Sequence, residues 1–243
     1  MPDEKKIERP LEEEEKAKFL AEADAATALA EVRRLEAQIT AGQLQSQKWG
    51  LEREKYEHDA ILAGNAFHHV YTFNTAVNEA SVVKAMDTLQ RWSRMDPGCA
   101  IELVFSSPGG SVVEGLAFWD FLSTLKSEGH RLTTVALGYA ASMAGILLQA
   151  GDVRIMGRES WLLIHQVSAV MGGSWGELKD RQKWIDRTQD RIVDIFYERS
   201  QCADPALATR RLTRRQIKNS WDRTDWWIDS DDALKYGFAD STR

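Results

Sequence analysis

From residue 69 onward the chain alternates between short β-branched or apolar runs and stretches with helical periodicity, and no other feature limits the fold so sharply. Residues 70–73 read as a strand and 79–95 as a helix with Val82, Val83, Met86 and Leu89 inward. Residues 100–105 and 112–125 repeat the strand–helix pattern, as do 132–137 and 143–150. Residues 153–156 and 161–164 are short strands, 176–199 a long helix, and 231–236 a short helix, with Ser230 expected as its cap and Gly237 after it. Repeated βα units imply an α/β domain with a largely parallel sheet, and in such sheets the loops at the carboxyl ends of strands carry the chemistry.

The first 60 residues have another texture. They are rich in Ala, Glu, Lys and Gln and hold fifteen acidic and ten basic residues, so about −5 of the chain's net charge of −6 belongs to them. Leu29, Val32, Leu35 and Ile39 recur at three- and four-residue steps, which predicts a long, thin amphipathic helix, with Gly42 and Gly50 as expected interruptions. Such a stripe is too narrow for a core of its own, so residues 1–68 form a charged helical extension and 69–243 the folded domain. No run approaches the roughly 18 apolar residues of a membrane span, and the charged start is unlike a secretory signal, so the expectation is a cytoplasmic protein without a membrane partner. Cys99 and Cys202 are far apart and not in metal-ligand spacing, which indicates neither a disulfide framework nor a zinc site, and no cofactor is called for. The cluster Arg210, Arg211, Arg214, Arg215 and Lys218 reads as the solvated face of a short helix rather than a nucleic-acid patch.

Three loops at strand ends stand out. Ser142 lies in Gly-Tyr-Ala-Ala-Ser-Met-Ala-Gly, residues 138–145, where a strand gives way to a helix whose first N–H groups have no intrahelical acceptor. A serine there is either a presented nucleophile or an ordinary N-cap. Ser-Ser-Pro-Gly-Gly, residues 106–110, follows another strand and suits an oxyanion hole or a plain glycine turn. His165 ends the 161–164 strand, whereas His58, His68, His69 and His130 fall in the extension, at the domain edge or in a helix–strand turn. Only His165 is placed to serve Ser142 as a base. A carboxylate orienting that imidazole could be Asp222, Asp225, Asp229 or Glu159. Asp225 is preferred because 224–228 reads as an apolar strand expected to bury its carboxylate among aromatics, while Asp229, Asp231 and Asp232 look like acids at a helix start.

Ser-Pro-Gly-Gly, the Ser142 segment, Ile-His-Gln at 164–166 and Ala-Leu-Lys-Tyr-Gly-Phe-Ala-Asp at 233–240, in this order, resemble the proteolytic subunit of the Clp protease, ClpP, over residues 70 to 241. The resemblance implies a ClpP/crotonase-like spiral of βα units and a serine endopeptidase with Ser142 as nucleophile, His165 as base and Asp225 as orienting acid. It further implies oxyanion donors at Gly110, in the Gly109–Gly110 loop, and at Met143, the residue after the serine. It also implies stacked heptameric rings of identical subunits acting on peptides or unfolded proteins, with Gly172, Gly173 and the long helix as the inter-ring handle. Val167 stands where the family usually has proline, and the 201–215 connection is longer than in housekeeping subunits. The helical extension is similar to that of divergent ClpP-like proteins of actinobacterial phages and prophages, some assigned to capsid maturation, which leaves a separate AAA+ unfoldase or phage capsid proteins open as partners. The chain carries no Gly-x-x-x-x-Gly-Lys-Ser/Thr motif, so an ATPase must be another chain. A crotonase-type acyl-CoA enzyme does not need a serine beside a histidine, and a Ser–Lys dyad does not need the histidine. A ring-forming assembly protein with a latent site stays open.

Overall fold

A computed structural model describes residues 9–168, 172–222 and 224–243. It separates into two compact units, residues 1–62 and 63–243. The first is a single helix, α1, over Arg9–Leu62. Gly42 and Gly50 do not interrupt it: a mid-helix glycine costs only about 1 kcal/mol against alanine, and the surrounding residues are strong helix formers. Leu29, Val32, Leu35 and Ile39 are all exposed, as are Phe19, Trp49 and Tyr56 elsewhere on the same helix.

The second unit is built in chain order from β1 (Val70–Phe73), α2 (Glu79–Met95), β2 (Ala100–Ser107), α3 (Val112–Ser127), β3 (Arg131–Ala141) and α4 (Met143–Leu148), then β4 (Val153–Met156), β5 (Trp161–Ile164), α5 (Trp175–Cys202), α6 (Arg214–Ser220), β6 (Trp226–Asp229), α7 (Ser230–Tyr236) and β7 (Ser241–Thr242). The main sheet runs β1-β2-β3-β4-β7 and is parallel throughout. In its core Phe73 stacks on Phe118 and packs tilted against Phe105 beside Leu89, Leu103 and Leu122, all essentially inaccessible. Val82 and Leu89 of α2 turn inward as expected and Met86 partly so, but Val83 is exposed, on the side of the helix away from the sheet. This is the α/β fold with helices around a parallel sheet that the alternating pattern predicts.

Strand β3 is longer than its β-branched run. Its first half, Thr133–Ala136, pairs with β4, and its last residues, Tyr139–Ala141, pair with β5 instead. Gly138, at φ 78°, marks the change of partner, and the register against β2 shifts between Phe105 and Ser107 at the same level. Residues 138–141, expected to lie between the strand 132–137 and the helix, are therefore the second half of a strand. It bends away from the main sheet and carries β5, which in turn pairs antiparallel with β6.

The carboxyl end is locked by charge. Arg154, inaccessible on β4, donates from Nε and Nη2 to Asp240 and from Nη1 to Gln149 Oε1 at 2.8 Å and to the Gly237 carbonyl at 2.9 Å. Gln149 Nε2 donates to the Phe238 carbonyl at 3.1 Å, so the buried guanidinium is held by a charged partner and two neutral acceptors. Helix α7 is capped by Asp229, whose Oδ1 accepts the Asp232 N–H at 2.8 Å; Ser230, expected in that role, donates to the Arg158 carbonyl instead. Of the basic cluster, Arg214 pairs with Asp194 and Lys218 with Asp190 across α5 and α6, while Arg211 donates to the Ala203 carbonyl. No helix among the described residues is long and apolar enough to cross a membrane.

Candidate active site

Ser142 follows β3 immediately and precedes α4, in a conformation that an L-residue rarely adopts: φ 54° and ψ −123°. Among the described residues, only Ser142 and His69 have positive φ without being glycine. The conformation separates the two readings of this serine. Asn78, Ser174, Thr213 and Asp229 are N-caps with extended backbone whose side chains accept a helix N–H; Ser142 has neither property. Its hydroxyl is thus not spent on capping. The turn is held from elsewhere: the Ser142 N–H donates to the Leu163 carbonyl on β5 at 2.8 Å, and all six residues of α4 are buried beneath it.

The ladder geometry brings the other two candidates to the same end of the sheet. In β3–β5 pairing Ala141 faces Leu163, so Ser142 lies one step beyond the end of that ladder, level with Ile164, and His165 is the next residue. In β5–β6 pairing Ile164 faces Trp226, so the next antiparallel position sets His165 opposite Asp225. Ser142 and His165 border one cleft, together with Gly110, Met143, Gln166 and the apolar side chains of Val112, Ile146, Ile164, Val167 and Ile192. His165 and Asp225 border an adjoining cleft with Trp221 and Thr224. Among the described residues no hydrogen bond joins Ser142 to His165 or His165 to Asp225.

The register also sorts the acids. Asp222 Oδ1 accepts from Gln166 Nε2 at 2.8 Å, and Asp229 is held by its capping role. Glu159 precedes the opposite end of β5, about 20 Å of extended chain from His165. The expectation that Asp225 is buried among aromatics is not met: it is exposed, because it lies one residue before β6 begins and only Ile228 of that strand is buried.

The glycine loop lies against the serine turn. Gly109, at φ 81°, sits so close that a Cβ there would meet Met143 N and Ser142 Cβ at 2.7 Å. Its carbonyl accepts from Val77 N–H and its N–H is taken by Ser107 Oγ, which leaves the Gly110 N–H without a partner among the described residues. Met143, the first residue of α4, likewise has no intrahelical acceptor for its N–H. Two backbone donors of this kind beside a hydroxyl are what a developing oxyanion needs. The role of Gly115 is not evident from sequence. A Cβ on it would collide with the Met143 side chain, so this glycine in α3 is what lets Met143 seat under the turn. A glycine inside an apolar helix was the available signal. Gly172, Gly173 and α5, expected as the inter-ring handle, are described, with Ser174 and Glu177 forming a capping box at the start of the helix; residues 169–171, just before them, lie outside the described residues.

Comparison with known proteins identifies the family. The family model for Clp protease matches residues 67–242. Among curated relatives, ATP-dependent Clp protease proteolytic subunit 1 of Chlamydia trachomatis is 31% identical over 172 residues, 69% of this chain and 82% of the relative. Proteolytic subunit 2 of Tropheryma whipplei is 35% identical over 150 residues, 61% and 76%. Proteolytic subunit 3 of Rhodococcus jostii is 32% identical over 166 residues, 68% and 75%. With the match running across β1 to β7 and every loop of the site, the chain belongs to the Clp protease family, and its fold is that of a ClpP-like peptidase.

Proposed function

We propose that this protein is a serine endopeptidase in which Ser142 is the nucleophile, His165 the general base and Asp225 the orienting acid. The observation that carries the assignment is the shared ladder end: a strained, non-capping Ser142 beyond β3, His165 beyond β5, and Asp225 opposite it before β6. The Ser142 Oγ attacks the scissile carbonyl while His165 takes its proton. The carbonyl oxygen, now an anion, receives N–H bonds from Gly110 and Met143, with Gly109 keeping the loop against the turn. His165 then gives the proton to the leaving amine, and water repeats the sequence on the acyl-enzyme, regenerating the serine. Asp225 fixes the imidazole tautomer and offsets its positive charge while it is protonated.

Clp-family proteins typically form oligomeric rings, and stacked heptamers of this chain, enclosing the clefts and admitting peptides or unfolded proteins, follow from that kinship. The relatives' names describe ATP-dependent proteases. The sequence carries no Gly-x-x-x-x-Gly-Lys-Ser/Thr motif, so the ATPase in such a system would be a separate AAA+ unfoldase. Helix α1, with its exposed apolar side chains, replaces the short axial loops of housekeeping subunits and serves as a gate or partner-docking element, in keeping with a cytoplasmic phage or prophage protease whose partners include capsid proteins.

A ring-forming assembly protein with a latent site is the second reading, favoured by the missing hydrogen bonds between Ser142, His165 and Asp225. Labelling of the native assembly by a fluorophosphonate, with native mass measurement, separates the two. Stoichiometric modification at Ser142 supports the peptidase; an unlabelled ring supports the assembly protein. Truncation near Ala60 then tests the gate: an intact ring with altered hydrolysis of an unfolded protein is expected, and dissociation to monomers would make α1 an assembly element.

A further inference from the structure

The second strained residue of the domain marks another cluster. His69, at φ 53°, stands just before β1 and is tied to β2 by the bond from Glu102 N–H to its carbonyl at 3.0 Å. Its ring meets Trp92 edge-on, with centroids 5.4 Å apart. Beside it, the turn from α2 to β2 is closed by the Cys99 N–H donating to the Asp96 carbonyl at 3.1 Å, with Gly98 at φ 77°. These two local structures bring an imidazole nitrogen, a carboxylate oxygen and the Cys99 sulfur all within 4.8 Å of one another.

The surroundings favour a cation. Among the described residues, the side chains of His69 and Asp96 have no hydrogen-bond partner. Cys99 is 8% exposed, and its sulfur lies within reach of the Asp96 carboxylate and the His69 ring. Behind the sulfur, buried His130 places Nδ1 3.0 Å from the Cys99 carbonyl and 3.5 Å from its Sγ, while Nε2 lies 2.9 Å from Ser93 Oγ. His130 therefore holds the cysteine from behind, as an outer-shell group does, rather than adding a fourth ligand.

We propose that His69, Asp96 and Cys99 bind a divalent transition-metal ion of zinc type. Mixed N, O and S donors suit a borderline-soft ion, and three protein ligands with the Asp96 side exposed leave the fourth tetrahedral position to solvent. Closing the ligand set from 4.8 Å to bonding geometry takes about 1 Å of side-chain movement, within reach of His69 and Asp96 rotamers. The ion ties the residue that precedes β1 to the turn that precedes β2, so it fastens the chain's entry into the sheet. It lies apart from the Ser142 cleft, none of whose lining residues it shares.

The test titrates the full-length, chelator-treated protein with Co²⁺ and follows thiolate-to-cobalt charge-transfer absorption, with metal content measured after loading with Zn²⁺ alone. One equivalent per chain is expected, with the band retained in Cys202→Ala and abolished in Cys99→Ala. His69→Gln and Asp96→Asn are expected to weaken Co²⁺ binding at least about tenfold at unchanged far-ultraviolet circular dichroism. The half-buried His69 variant decides the matter even if Cys99→Ala misfolds. No charge-transfer band in the wild type, a band that survives Cys99→Ala, or equal affinity in His69→Gln overturns the site.

Discussion

Ser142 and His69 share one backbone property and little else. Both hold a positive φ that costs on the order of 1–3 kcal/mol, and both sit where the chain enters or leaves a strand. At Ser142 the strain is imposed from all sides: α4 is buried beneath, β5 grips its N–H, and Gly109 presses against its Cβ. At His69 it is imposed by one bond to β2, a long bond from its N–H to the Ala66 carbonyl and one ring contact, on a half-buried residue. Over-determined strain suits a group that must not move during reaction, whereas lightly held strain suits a ligand that can close on an ion.

The contrast can be broken by substitution. Ser142→Ala should lower peptide hydrolysis by about 10⁴- to 10⁶-fold while ring mass and circular dichroism stay as in the wild type; residual turnover above a few per cent would move the nucleophile elsewhere. Asp225→Asn should lower kcat by roughly 10² to 10⁴, with Asp222→Asn and Asp229→Asn costing less than about tenfold. Equal losses at Asp222 would reassign the acid. Gly115→Ala probes the support under Ser142. Its Cβ displaces the Met143 side chain, and about 1–3 kcal/mol of stability together with a measurable drop in turnover is expected. The smallest effect is the most direct comparison: Ser142→Gly and His69→Gly should each raise the denaturant midpoint by the equivalent of about 1 kcal/mol in metal-free protein, by relieving the same strain. If only one of them stabilises, the two residues are not strained alike.

How much of this could be read beforehand follows from the range of the interactions concerned. The Ser142 turn, the glycine loop and His165 are legible because each is a local strand-end signal. Choosing among four acids is not, since Asp225 is set opposite His165 by the β5–β6 register, which depends on residues 60 apart in the chain. The same limit explains the misplaced burial of Asp225 and the shortened β3, whose last three residues are strand only because β5 pairs with them. It also hides the His69–Asp96–Cys99 cluster, where cysteine spacing carries no information because one ligand arrives from a neighbouring strand. In α1 the error runs the other way, since two glycines weigh little against some fifty helix-forming neighbours.

The change of partner along β3 at Gly138 has a consequence for rate. His165 and Asp225 flank β5 and β6, and among the described strands this pair is laddered to the sheet only at Tyr139–Ala141, with the Ser142 N–H bond to the Leu163 carbonyl one step beyond. Three ladder positions are few enough to part while the remaining strands stay paired. For the peptidase proposed above, turnover would then be the product of a chemical step and the fraction of time this short ladder is closed. Two assemblies with identical residues at every reacting atom could therefore differ tenfold in speed for about 1.4 kcal/mol of difference in that one opening equilibrium.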